Sequence, residues 1–140
     1  MQLKTTFPLL TMALLLFCSF TPAKQVKHFR FPISVDFIFY NNTDYNLDEA
    51  TFSTNSQTLV YNNLKANTPT PGTIIEIETT GDTFMYSIVF NTPPKTASII
   101  TITTQTRVTT EVIPAGTGAF TTAIPLPLPT SGIVVRLDPQ

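Results

Sequence analysis

Two glutamates, Glu76 and Glu78, sit two residues apart in a segment that alternates isoleucine with acid. In an extended strand such residues share a face at a separation of roughly 7 Å. That falls within the carboxylate spacing of about 6.5–9.5 Å used by inverting glycoside hydrolases. The same pair on an outward strand face is ordinarily solvated acid with no chemistry. The only histidine, His28, lies in a charged lead-in where a surface imidazole is the ordinary reading, and the only cysteine is Cys18. A zinc site therefore lacks a ligand set, and a Ser-His-Asp arrangement would have to recruit His28.

Asp44-x-Asn46-x-Asp48 resembles the opening of a calcium loop, in which alternating oxygens converge on a hard cation. The loop then departs from the pattern. Glu49 occupies the position that needs glycine, and Asn55 the one that needs a bidentate acid. A polar loop with Asx turns accounts for the same residues, so no metal and no cofactor are assigned. Asn41-Asn42-Thr43 fits the N-glycosylation acceptor pattern, but it also serves as the turn that ends a strand. Tyr40, Tyr45 and Tyr61, with neighbouring asparagines, offer a wet aromatic platform for a sugar or a peptide, or else pack at strand ends. The ligand-binding candidates are accordingly Tyr40, Asn41, Asn42, Asp44, Tyr45, Asn46, Asp48 and Glu49. No catalytic residue is assigned.

These side chains need a scaffold, and residues 33–40 supply its centre. Ile33, Val35, Phe37 and Phe39 fall on one face of a strand and Ser34, Asp36, Ile38 and Tyr40 on the other. A period of two lets the first set line a core, with Phe37 buried between two sheets. Pro32 separates this strand from the lead-in, which is a short first strand or a loose N-terminus. Residues 41–56 read as a polar interval whose Tyr45, Leu47 and Phe52 fold back on the core. Further strands are expected at residues 58–61, 73–79, 83–90, 97–104, 106–113, 119–124 and 132–137. Asn62-Asn63 reads as a tight turn, and Gly81-Asp82 as the turn of a hairpin joining residues 73–79 to 83–90. Prolines 125, 127 and 129 place their segment at a sheet edge or off the sheet, because proline brings no N–H to a ladder.

No 3.6-residue period of helical length appears. Strands at roughly ten-residue spacing argue an all-β chain folded as a single antiparallel β-sandwich of about seven to nine strands, immunoglobulin-like in architecture. The cysteine pair and buried tryptophan of antibody domains are absent from the sequence, so the likeness is one of architecture.

Residues 1–23 read as a signal peptide. Lys4 gives the positive start, residues 9–17 an apolar run too short to cross a bilayer, and Thr21-Pro22-Ala23 the small residues before cleavage. Residues 24–140 are then the β-sandwich domain, secreted or periplasmic and without a transmembrane segment. Lipidation at Cys18 is the alternative, although Leu15-Leu16-Phe17 suits it poorly. Charged residues make up 12% of the chain, against about 25% ordinarily, and no basic stripe tracks a phosphate backbone, which argues against nucleic acid. The expected function is an exported, non-enzymatic module for binding, adhesion or structure, with an extracellular ligand such as a glycan or a protein. The alternative is a secreted carbohydrate-active hydrolase or lyase working through the paired carboxylates.

Overall fold

A computed structural model describes residues 31–127 and 130–140. The expected signal peptide, Cys18, the lead-in with His28, and Pro129 lie outside the described residues. Among the described residues ten strands follow in chain order: β1 (Pro32–Asn41), β2 (Leu47–Ser53), β3 (Thr58–Leu64), β4 (Thr68–Pro69), β5 (Thr73–Glu78), β6 (Asp82–Phe90), β7 (Ser98–Thr104), β8 (Val108–Ile113), β9 (Ala119–Leu126) and β10 (Gly132–Pro139). The count exceeds the expected seven to nine partly because β4 holds two residues.

The strands form two packed sheets. The first runs β4-β1-β10-β7-β8, with β5 also on β1, and the second runs β3-β2-β6-β9. All pairings are antiparallel among the described residues except β1 with β10, which is parallel and sets Phe37 opposite Ile133. The sandwich is the architecture that the alternation implied. The strand order does not by itself establish an immunoglobulin-like arrangement.

The core follows from the period of two. Val35, Phe37 and Phe39 of β1 face Phe52 of β2 and Phe84 of β6 across the sandwich, all buried. Phe52 sits between the two β1 rings, with centroids 4.9 Å from Phe37 and 5.0 Å from Phe39. Both contacts are tilted by 51°, a geometry that favours the ring quadrupoles. At the start of the strand, Ile33 is 40% exposed, so the buried face of β1 begins at Val35.

Three local readings are corrected. Residues 47–53 form a strand where only a polar interval was expected. A β-bulge at Asp48 breaks the alternation, since Leu47 pairs Phe90 and Glu49 pairs Val89, and the bulge turns Asp48 and Glu49 away from the core in succession. Asn62 and Asn63 lie inside β3, and the chain turns at residues 66–67 instead. Finally, β5 and β6 do not form a hairpin. They belong to different sheets, so residues 79–81 arch across the sandwich, with Gly81 at φ 128°, a conformation that favours glycine. Asp82 secures this arch: its carboxylate accepts the backbone N–H groups of Asn55, Glu78 and Thr83. The expected strands at residues 97–104 and 106–113 are present as β7 and β8, which pair antiparallel with each other. Pro125 and Leu126 end β9, an edge strand, as the proline spacing implied.

Candidate functional site

The loops following β1, β3 and β6 meet at one end of the sandwich, and asparagine side chains stitch them together. Asn41 is the hub. It completes the inward face of β1 and is fully buried. Its amide nitrogen donates to the carbonyl oxygens of Tyr45 at 2.9 Å and Lys65 at 3.1 Å. Its amide oxygen accepts the Thr43 hydroxyl at 2.7 Å and the Thr43 N–H at 3.2 Å. A buried amide that satisfies four partners is scaffold. It has neither the room nor the free nitrogen for a glycan, so the acceptor pattern is a turn in the folded chain.

The remaining loop candidates each reach a different segment. Asn42 donates its amide to Asp138 Oδ1 at 2.7 Å. Asp44 Oδ1 accepts from Asn67 Nδ2 at 3.1 Å, Asn46 Oδ1 from the Ala66 N–H at 2.9 Å, and Asp48 Oδ1 from Asn91 Nδ2 at 2.8 Å. The three oxygens of the calcium-like pattern thus serve three separate donors. Among the described residues no group of three or more His, Cys, Asp and Glu side chains is placed to hold a metal ion.

The tyrosines do not form a platform. Tyr61 points into the core and stacks on Phe37 at 6.4 Å, and burial pushes its phenol pKa up. Tyr45 sets its ring edge-on to Phe90 and its oxygen accepts the Lys95 N–H at 3.1 Å. That hydrogen bond, aided by Thr96, holds its phenol below the usual tyrosine range. Tyr40 lies on the outer face of the first sheet, where the Arg136 guanidinium covers its ring at 5.5 Å. Glu49 lies on the outer face of the other sheet and accepts the Thr51 hydroxyl at 2.8 Å. Tyr40 and Glu49 are therefore separated from the loop cluster.

Beside that cluster lies a recess of about 190 Å3 lined by Asn46, Leu47, Asp48, Asn63, Lys65 and Asn91. The Asp48 bulge, where β2 shifts register against β6, forms part of its wall. Asn63, at φ 55°, turns β3 along the same wall. Asn46 Oδ1 and Asp48 Oδ1 are engaged in the bracing, whereas the Asn46 amide nitrogen, the Asn63 side chain and the Lys65 ammonium have no protein partner among the described residues. The recess thus offers amide donors and acceptors, one cation and one carboxylate on a braced frame. Sequence reading missed Asn63, Lys65 and Asn91, whose roles depend on the bulge and on pairing between distant strands.

A larger groove of about 360 Å3 runs over the outer face of the first sheet, where Gly132 beside Asp36 contributes no side chain and Ile74 flanks Asp36 on its other side. It is mostly apolar, with Ile38, Ile74 and Val134 among its walls. Glu76 and Glu78 share the outward face of β5: Glu76 is exposed and Glu78 half-buried. Neither acid lines either recess. Among the described residues, no helix is long and apolar enough to cross a membrane.

No family model matches the chain, and no curated protein or solved structure matches it.

Proposed function

We propose that the chain is an exported, non-enzymatic β-sandwich module that binds a neutral, polyhydroxylated ligand, a glycan, at the recess beside Asp48. The observation that carries this reading is the combination of a braced loop end with polar groups that the bracing leaves free. Hydroxyls of a sugar are both donors and acceptors, and they suit amide side chains that present both. Ordering the Asn46, Asn63 and Lys65 groups on a frame already cross-linked reduces the entropy lost on binding. The exported location rests on the order of charge, apolar run and small residues at the N-terminus. The paired-carboxylate alternative gains no support from the placement of Glu76 and Glu78 on the outward face of an outer strand.

A thermal-shift screen against neutral oligosaccharides tests the reading, because a ligand that binds only the folded state raises the melting temperature by mass action. A rise that disappears in Asn63→Ala supports the site. A rise that survives this substitution, or none with any glycan, rejects it.

A further inference from the structure

We infer that β8 is a self-recognition strand, through which two copies of this chain pair edge to edge into a two-fold dimer. β8 ends the first sheet and, among the described residues, pairs only with β7. The Thr104 N–H donates to the Arg107 oxygen at 2.8 Å, which fixes residues 104 and 107 as a hydrogen-bonded pair. Antiparallel ladders alternate such pairs with open ones. The register of Thr103 with Val108 and Thr101 with Thr110 then turns the N–H and C=O groups of Val108, Thr110 and Val112 away from β7. These groups form an open hydrogen-bonding edge six residues long.

The other margins carry features that discourage pairing. β9 carries Pro125 just before its last residue, β3 turns at Asn63, and β4 contains Pro69. On β5 the outward backbone groups of Glu76 and Glu78 are taken by Thr54, Gln57 and Asp82. β8 has neither proline nor bulge, and Val108 and Val112 stand 62% and 52% exposed on its outer side.

Charge complementarity selects the occupant. Arg107 and Glu111 are the charged residues at this edge, and they lie symmetrically about Thr109. An antiparallel second copy centred on Thr109 sets Arg107 of each chain opposite Glu111 of the other. It sets Thr109 opposite Thr109 and pairs the open groups of Val108 with those of Thr110. Opposite charges and threonine pairs are favourable cross-strand neighbours, whereas a register centred on Glu111 would oppose two carboxylates. Glu111 Oε2 already accepts the Tyr86 hydroxyl at 2.9 Å, which holds the carboxylate in place for the incoming guanidinium.

Sedimentation velocity over a wide concentration range tests the dimer on the purified protein. The wild type is expected to sediment at twice the monomer mass at high concentration. Thr110→Pro removes an N–H that points away from β7 and makes no bond among the described residues, and it should leave a folded monomer. Arg107→Glu changes an exposed side chain, so it keeps the test open if the proline variant fails to fold. It opposes two carboxylate pairs and should weaken association about tenfold or more. Amide exchange at Val108 and Thr110 should slow as concentration rises. A wild type that stays monomeric, a Thr110→Pro dimer undiminished from wild type, or association indifferent to Arg107→Glu would each overturn this pairing.

Discussion

The two ends of the sandwich are closed in different ways. At the end that carries the recess, the bonds run between segments: Asn41 to Lys65, Asn42 to Asp138, Asn46 to Ala66, Asp48 to Asn91 and Tyr45 to Lys95. At the opposite end most turns close on themselves. Thr54 bonds to Gln57, and Thr104 to Arg107. Asp82 is the main group reaching across, with support from Gln57 and Thr54 to Glu76. Self-closed turns are sufficient to reverse a chain. A mesh of amides that fixes several loops against one another is more than chain reversal needs, and it has the form of a preorganised binding surface.

The largest expected effect is at Asn41. Asn41→Ala leaves the Thr43 N–H and the Tyr45 and Lys65 carbonyls short of a partner in a buried place. It should destabilise the protein by about 3 kcal/mol in denaturant unfolding, since unsatisfied buried groups cost about 1–3 kcal/mol. Asp82→Ala, the matching change at the opposite end, removes an acceptor from three backbone N–H groups that lie closer to solvent. It should cost about 2 kcal/mol, with faster amide exchange confined to residues 54–57 and 78–83. A loss at Asp82 that also loosened residues 42–46 would show that the ends are coupled, and the contrast between them would fail.

A smaller effect separates both ends from the middle of the sandwich. Burial, reinforced by the Glu111 carboxylate, pushes the Tyr86 phenol far above its ordinary pKa. The sign follows from linkage. The protonated phenol is favoured in the folded state, so its contribution is complete below pH of about 10 and is lost as pH rises further. Tyr61 shifts in the same direction, and Tyr45, at the recess end, in the opposite one. Denaturant midpoints should therefore fall above pH of about 10 less steeply in Tyr86→Phe than in wild type. Equal slopes would remove Tyr86 as the cause. The smallest effect expected is that of a chelator: EDTA should leave the melting temperature unchanged, because the Asp44, Asn46 and Asp48 oxygens each serve a separate donor. A fall of several degrees would reveal a cation that the bracing pattern does not anticipate.

The same contrast explains what could be read from the sequence. Strands with one apolar face, such as Val35-x-Phe37-x-Phe39 in β1, declare themselves through alternation, and so did the strands β7 and β8. β2 did not, because the Asp48 bulge puts two polar residues in succession and disguises the pattern that resumes at Ala50 and Phe52. The step from β5 to β6 was misread because Gly81-Asp82 reverses a chain equally well within a sheet or between sheets. Periodicity says which face is buried but not which sheet a strand joins. The candidate loop was legible as polar. The division of labour within it was not, since the burial of Asn41 and the approach of Asn63, Lys65 and Asn91 depend on partners 20 to 50 residues away.

The most direct test of the binding end is an amide-resolved NMR titration with whichever neutral oligosaccharide gives the largest thermal shift. Saturable shifts are expected to concentrate at Asn46, Asp48, Asn63, Lys65 and Asn91, including the side-chain amides of the three asparagines, while residues 54–57 and 79–81 stay unmoved. Shifts centred on the opposite end, or on the groove lined by Asp36, Ile74 and Gly132, would contradict the binding end proposed.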